Sequence, residues 1–586
     1  MSFKTGGGVR AVGAVSVRKT HWAHGAICAG FWLFCIGSAS AQDAPGEEPT
    51  ADARLSLGGT IAGRRSQGVG GQALRDPAVF YTANVHAAPP DLPTPFILRR
   101  LDIDGVSGDT PLPLRHLYAD LLGRNVDAAI LAEVAFKITR HNAAAGFPAR
   151  IAYFADQDFQ NGLVKVSVSS GAVGFVEFVG AEGRTLKYLR SLASMLTEET
   201  PLRAETLTRF KHLANQVPGV SCTVAITPSA NPLEPPNLVI TVKHERFSSD
   251  NFFDNRAPRG IGRKILSSRA KARGLATGTD ELDVQLIHNT GRGNAYLLIA
   301  SYATVLNKRG LTAELGFFRS HFKPQLFGPS PPILGIINEN YSVELSQPIH
   351  VSERLQVSAN AGLAILHAQR SVNGPLQVRD RRRVSTLGLE LDAQDAWGGV
   401  NYVSLQWLHG WDVLGATARG EPLASRQGDG AAFSTFILEV ERVQKVGKFA
   451  ELELATWTQA STQSLYEVDQ CVYGGRDFGL GHEFEALYGD HCFLGLLELR
   501  SKPIALLAGA NAAPYAFVDG AVIGFTGVPD IAARPFSALM SAGGGVRFKL
   551  NKHVSARVEA NWPLRRSGID FSASDERLYF RLDADF

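Results

Sequence analysis

The sequence predicts an α+β protein joined to an all-β membrane part: two small α/β units, then a transmembrane antiparallel β-barrel of about sixteen strands. Three observations carry this fold class. Residues 96–246 alternate helical and strand-like periods, and residues 247–586 keep a period of two almost without helical interruption. The chain then closes on an aromatic residue, Phe586, at the end of an amphipathic strand.

The N-terminus comes first. Lys4, Arg10, Arg18 and Lys19 precede the short apolar block GAICAGFWLFCIG and then SASAQDA. That is a basic region, an apolar region too short to span a bilayer, and small residues at Ala39 and Ala41 for cleavage before Gln42. Residues 1–41 are therefore expected to be a signal peptide, and the rest to be exported. No apolar run of transmembrane-helix length follows, which excludes a helical membrane protein. Charge is nearly balanced, 59 Lys+Arg against 56 Asp+Glu, so no strong field argues for nucleic acid. The densest basic run, VRDRRR at 378–383, is read as a solvated turn before a strand. Cys28 and Cys35 would leave with the signal, and Cys222, Cys471 and Cys492 would enter an oxidising compartment. Cys471 and Cys492 form a candidate disulfide, although spacing alone does not establish the geometry.

Residues 42–95 read as a Gly/Pro-rich linker with no sustained helical or strand period and a Pro-dense end, PPDLPTP. Residues 96–172 form a first unit. FILRRLDIDG is a strand, Asp127 is placed to cap a helix whose apolar residues are Ile130, Leu131, Val134, Ala135 and Ile138, and two strands finish it. Residues 173–246 repeat the order. GFVEFVG is a strand, Leu186, Leu189 and Leu192 mark one helix, and Leu207, Phe210, Leu213 and Val217 mark another. CTVAITP and NLVITVKH close this unit as strands.

In residues 247–586 alternation is strict. In LYFRLDADF, Leu578, Phe580, Leu582, Ala584 and Phe586 point one way, and Tyr579, Arg581, Asp583 and Asp585 the other. VSARVEANW divides in the same way. A soluble sandwich would also alternate, but this sheet has no helices or second apolar layer to cover it. Its polar face carries full charges, as a wet lumen allows, and closure leaves no unpaired edge in lipid.

The order of parts, together with DNFFDNRAPRGIG, ASRQGDGAAFSTFILEVER, CVYGGRDFGLGHEFEALYGDH continuing into LGLLELR, and AFVDG at 516–520, resembles the two-partner secretion transporters. These are the hemolysin secretion/activation family of the outer-membrane assembly superfamily. The resemblance covers nearly all of the exported chain. It implies two POTRA (βααββ) domains in the periplasm, a barrel in the bacterial outer membrane, and export of a dedicated partner. That exoprotein would be large and β-helical, received unfolded by the POTRA units and passed outward without ATP. The resemblance further implies a monomer in outer-membrane lipid with no cofactor; no nucleophile elbow, paired-carboxylate pattern or triad nominates a catalytic residue, and the balanced charge argues for no nucleic acid. A plug helix, which many relatives have, finds little support in the poor helical period of 42–95.

The resemblance also implies that the loop after the eleventh strand folds into the lumen, where its Arg-Gly-Tyr/Phe motif meets an aspartate on the wall. Counting five strands back from the C-terminus independently puts residues 471–491 on the outer side. Phe517 and Asp519 share a face there, and the charge of Asp519 makes that face the lumen. The loop motif departs from the family pattern. Gly474 and Gly475 are followed by four residues, but then by Leu480, Gly481 and His482. Leu480 stands at the arginine position and His482 at the aromatic one. Arg476 is the only nearby cation, and the hypothesis is that it pairs with Asp519.

Other readings of the loop are weaker. A phosphate-binding loop needs a strand–helix context and usually Lys-Ser/Thr, both absent. A metal site from His482, Glu483, Asp490 and His491 lacks compact ligand spacing. The alternatives for the whole chain are an outer-membrane insertion and assembly factor, or a passive porin.

Overall fold

The computed structural model describes residues 95–586, together with the strand Val79–Tyr81, except 106–113, 156, 158, 160, 228, 230–233, 292–293, 325–330, 427–429, 507–508, 527–535 and 566–576. The expected signal peptide with Ala39 and Ala41, and the linker apart from that strand, lie outside the described residues.

In the first unit, helix α1 (Ala128–Ala144) begins where expected, with the Asp127 carboxylate accepting from the Ile130 N–H at 2.8 Å. Leu131, Val134, Ala135 and Ile138 are buried on one face of α1. They pack in one core with Val164 and Val166 of the strand Leu163–Val168. That strand pairs in parallel with Arg100–Asp104 and antiparallel with Ala152–Tyr153. The stretch between the first strand and α1 forms short 3-10 turns, Leu114–Leu117 and Ala119–Leu121.

The second unit carries α2 (Gly183–Glu198) and α3 (Ala204–Gln216) against a sheet ordered Val79–Tyr81, Val220–Thr227, Asn237–His244, Val176–Val179. Leu189, Leu192, Phe210 and Leu213 of the two helices share a core with Val224 and Ile240. The linker therefore contributes a strand that its weak periodicity does not predict. It pairs in parallel with the second unit, Val79 opposite Val224. This unit also meets the barrel. The Thr185 hydroxyl donates to the Gly278 carbonyl at 2.8 Å, and the Tyr188 hydroxyl donates to the Asn307 carbonyl at 3.3 Å.

The remainder is a closed antiparallel barrel of 16 strands. They are β1 (Phe247–Asp254), β2 (Ile265–Arg273), β3 (Asp280–Asn289), β4 (Asn294–Val305), β5 (Thr312–Lys323), β6 (Leu334–Val351), β7 (Leu355–Val372) and β8 (Leu376–Gln394). Then come β9 (Val400–Gly410), β10 (Phe433–Val446), β11 (Ala450–Ser461), β12 (His491–Ser501), β13 (Asn511–Gly524), β14 (Phe536–Lys549), β15 (Val554–Arg565) and β16 (Arg577–Asp585). The short strand Ile504–Ala505 prolongs β12 along β13. Closure is by β1 on β16, with Asp250 opposite Asp585 and Asp254 opposite Arg581.

The alternation holds in space. Leu345, Leu363, Leu387, Leu405 and Leu497 are exposed on the outer face, a belt of apolar surface that only lipid would cover. Charges face inward, where many are paired: Arg547 bonds Glu498 at 2.7 Å, and Arg500 bonds Glu453 at 3.0 Å. The basic run 378–383 corrects its sequence reading, because it lies inside β8 rather than in a turn. Asp380 and Arg382 are buried on the lumen face. Arg379 and Arg381 both reach Glu421 in the β9–β10 connection, which folds over them. Alternation along a strand tolerates such a run when inner loops supply its partners.

Candidate functional site

The connection from β11 to β12, residues 462–490, turns back into the lumen. The strands Cys471–Tyr473 and Leu487–Gly489 pair antiparallel, and the tip lies between them. Cys471 and Cys492 are disulfide-bonded, with Cα atoms 6.4 Å apart, so one limb of this hairpin is tied to the start of β12.

The base of the loop is held by charge. Glu467 meets Arg370 of β7 at 3.3 Å, and Asp469 meets Arg382 of β8 at 2.7 Å. The Arg382 guanidinium also lies 4.3 Å over the Phe433 ring and 4.9 Å from the Tyr466 ring. Asp490 is fully buried. It accepts from Arg426 at 2.9 and 3.0 Å, from the Leu465 N–H at 3.1 Å, from the Gln470 amide at 3.0 Å and from the Thr526 N–H at 2.8 Å.

The tip meets the wall at two separate places. The first is Asp519 on β13, which is 2% exposed. One carboxylate oxygen accepts from the Tyr473 hydroxyl at 2.8 Å, the other from the Leu480 N–H at 2.8 Å, and the Ser541 hydroxyl of β14 also donates. Burial, then the Asp519 charge, pushes the Tyr473 phenol above its ordinary value, so the donor stays protonated. Nearby, the Gly481 N–H donates to the Ser541 hydroxyl at 3.0 Å, and Asn561 of β15 donates to the Leu480 carbonyl at 2.8 Å. His482 Nε2 donates to the Met540 carbonyl at 3.0 Å, and its ring lies 5.5 Å from that of Tyr473. Phe517, one pleat from Asp519, is buried in the same cluster as Tyr473, Phe478 and Leu480.

The second place corrects the sequence hypothesis. Arg476 does not pair with Asp519. It donates to both oxygens of Asp254 at the end of β1, at 2.5 and 2.8 Å, with Asp254 2% exposed. The Arg256 N–H donates to the same carboxylate at 3.0 Å, and the Arg476 guanidinium lies 5.6 Å from the Phe252 ring. Arg256 itself pairs with Glu559 of β15, donates to the Gly475 carbonyl at 3.4 Å and stacks 4.1 Å over Tyr579. The physical reason is saturation. Asp519 is already bonded by three neutral donors, one of them the backbone N–H of Leu480, the residue that replaces the motif arginine. The cation is free to serve a second carboxylate.

Glycine makes this approach possible. Gly474 has φ +116°, and a Cβ there would fall on the Glu483 carbonyl oxygen. At Gly481 a Cβ would sit 2.7 Å from Ser541 Cβ and 2.9 Å from the Trp562 backbone. Gly475 stands at the turn, its carbonyl bonded to Arg256.

The structure does not gather the four residues weighed as metal ligands. His482 bonds Met540, Glu483 meets Arg263 at 3.3 Å and Arg577 at 3.5 Å, Asp490 holds the loop base, and His491 bonds the Thr526 hydroxyl at 2.7 Å. Sequence reasoning missed Tyr473, Ser541, Asn561, Asp254 and Arg256 as partners. Asp254 and Arg256 do stand in DNFFDNRAPRGIG, and Asn561 stands on the polar face of VSARVEANW.

Residues 96–171 match the family model for a POTRA domain, ShlB-type, and residues 337–548 match that for the haemolysin secretion/activation protein ShlB/FhaC/HecB. Among curated relatives, the heme/hemopexin transporter protein HuxB of Haemophilus influenzae (strain 86-028NP) is 22% identical over 308 residues, 51% of this chain and 53% of that protein. The chain thus spans about half the length of that relative. Among solved structures, CdiB from Escherichia coli aligns with a TM-score of 0.64 at 15% identity, covering 88% of this chain and 95% of its own. BamA from Haemophilus ducreyi lacking POTRA domains 1–3 aligns with a TM-score of 0.53 at 13% identity, covering 84% of this chain and 100% of its own. These likenesses show the shared fold. The two family matches and the relative support a two-partner secretion transporter of the outer membrane, and the two neighbours add the fold alone.

Proposed function

We propose that this chain is an outer-membrane transporter that exports a dedicated partner exoprotein, received unfolded by two periplasmic POTRA units and passed through the barrel without ATP. The proposed division is a signal peptide to residue 41, a linker to 95, POTRA units at 96–172 and 173–246, and the barrel at 247–586. The observation that carries the reading is the loop at 462–490, which enters the lumen from the outer side and is anchored on Asp519.

Such a loop obstructs the path a polypeptide would take, so passage requires its tip to leave the wall. The polar tip contacts can exchange for water or for the passing chain, and the apolar contacts of Phe478 and Leu480 with the wall have to be given up as well, while the disulfide keeps the hairpin tied to the barrel. Capture of the partner by strand addition fits the second unit. Its edge strand Val220–Thr227 already takes Val79–Tyr81 as an added strand, and its other edge, Val176–Val179, has no further strand paired to it among the described residues. The partner is expected to be large and β-helical, and the transporter to work as a monomer in outer-membrane lipid.

The test is export of the partner exoprotein into the medium, with and without this chain. Export that continues in its absence overturns the reading. Loss of other outer-membrane proteins on deletion, with export unchanged, would instead support the assembly reading that the BamA-like fold permits.

A further inference from the structure

The second soluble unit meets the turns after β2 and β4, so that end of the barrel is periplasmic and the other end faces outward. Toward the outer end of β5–β8 the apolar belt stops along a definite line. Leu315, Val343 and Leu363 stand opposite one another in turn across β5–β7 and are exposed to lipid. One pleat further out come Phe317, Tyr341 and Ile365, with the rings of Phe317 and Tyr341 5.3 Å apart. At the same border the exposed Trp411 donates its indole N–H to the Ser385 hydroxyl at 2.9 Å. Aromatic rings along the edge of such a belt mark the height where hydrocarbon gives way to headgroups.

The next outward row is ionic. Arg319, Glu339, His367 and Arg381 stand opposite one another in turn across β5–β8, about 7 Å beyond the aromatic row. On the same face of β8, Arg383 lies one pleat nearer the belt and Arg379 one pleat further out. These four guanidinium groups share two carboxylates. Arg319 meets Glu339 at 3.0 Å, and Arg379 and Arg381 meet Glu421 at 3.1 and 3.3 Å. Arg383 donates to two carbonyls, those of Arg382 at 2.8 Å and Leu414 at 2.9 Å, and among the described residues it forms no ion pair. The exposed Asp412 beside Trp411 forms none either. The Nε atoms of Arg319, Arg379, Arg381 and Arg383 have no hydrogen-bond partner. The side chains of Arg319, Arg379 and Arg381 are 43%, 38% and 33% exposed, so the surplus of positive charge and of donors faces out of the barrel at headgroup height.

We propose that this row on β5–β8 binds the phosphate groups of lipopolysaccharide in the outer leaflet of the membrane. Three features select that occupant. The unbalanced arginines call for an anion, and a guanidinium fork matches the oxygens of a phosphate. The outer end of the strands places that anion in the outer leaflet, and the exposed Leu315, Val343 and Leu363 directly beneath give its acyl chains a surface to lie on. The inference rests on the outer-membrane location alone and is independent of what the barrel exports.

The full-length protein is purified in a non-ionic detergent, and native mass spectrometry reads its binding of lipid A, the phosphorylated anchor of lipopolysaccharide. Lipid A stripped of its phosphates and phosphatidylglycerol serve as comparison lipids. The wild type should bind lipid A about tenfold or more tightly than either. R383Q removes an arginine that bonds no carboxylate, so it strands no charge, and it should weaken lipid A binding about fivefold; R381Q/R383Q should weaken it about thirtyfold. R381K/R383K keeps the charge without the fork and should fall between the double glutamine variant and the wild type. K552Q, in the periplasmic turn between β14 and β15, should bind as the wild type does. Gel mobility without heating confirms a folded barrel in each variant. A wild type that does not bind lipid A, or that binds either comparison lipid as tightly, overturns the proposal. So does wild-type affinity in folded R383Q and R381Q/R383Q.

Discussion

Replacing Arg476 by alanine should release the loop tip, because it strands a buried charge. Asp254 is 2% exposed and receives two guanidinium bonds, at 2.5 and 2.8 Å, from an arginine that is itself 11% exposed. Without Arg476 the carboxylate keeps the Arg256 N–H at 3.0 Å as its remaining direct donor from the chain nearby. Breaking one side of a buried ion pair costs about 3–5 kcal/mol. Charged to the locked state of the loop, that raises the released population by about two to three and a half orders of magnitude. The assay is the rate at which a membrane-impermeant thiol reagent, added to intact cells, modifies Ala486→Cys on the returning limb. Asp254→Ala on top of Arg476→Ala should restore part of the locking, since the orphaned charge is gone. Asp519→Ala should add its own increment to that of Arg476→Ala within about 0.5 kcal/mol, as independent anchors do. A labelling rate unchanged by Arg476→Ala, or coupling of Arg476 to Asp519 rather than to Asp254, would refute the two-anchor geometry.

Other outcomes follow from the same contacts. Tyr473→Phe removes one donor from the Asp519 carboxylate and should cost the locked state about 1.5–3 kcal/mol, read by the same labelling. Gly481→Ala places a methyl group against the Ser541 side chain and the Trp562 backbone and should cost about 1–3 kcal/mol; wild-type labelling would show that the tip has room to shift. In the β8–β9 turn, Asp395 is held down to about 2, first by the hydrogen bond from Arg442 and then by that from Asn401. Its folded value lies below the ordinary 3.8, so the contact is present above about pH 4 and is lost as pH falls through about 2. Hydrogen exchange at the Trp397 and Gly399 amides, which both donate to Asp395, should stay slow at pH 4 and accelerate only near pH 2.

Much of the barrel was legible because a strand with lipid on one side and water on the other has to alternate. The same period puts Asp519, Glu559 and Asn561 on the lumen face. Counting strands back from Phe586 placed the loop on the outer side for a reason equally simple, since antiparallel strands reverse direction each time. The partner of Arg476 was not legible in this way. Asp254 lies 222 residues away in sequence, and alternation gives the face of a residue but not its height in the barrel or its angular neighbour. Leu480 was opaque for another reason: it serves Asp519 through its backbone N–H, which no side-chain pattern records. Arg379 to Arg383 misled because a charge run looks solvated until the loops that cover it are known.

The central claim is that a polypeptide passes through this lumen beside a displaced loop. The most direct measurement is crosslinking of the partner exoprotein, arrested in transit, to single cysteines in the barrel wall. Ala364→Cys and Thr386→Cys face the lumen and should capture the passing chain, while Leu363→Cys and Leu387→Cys, exposed on the lipid face, should not. Capture confined to the soluble units, with the lumen positions as silent as the lipid-facing ones, would contradict export through the barrel.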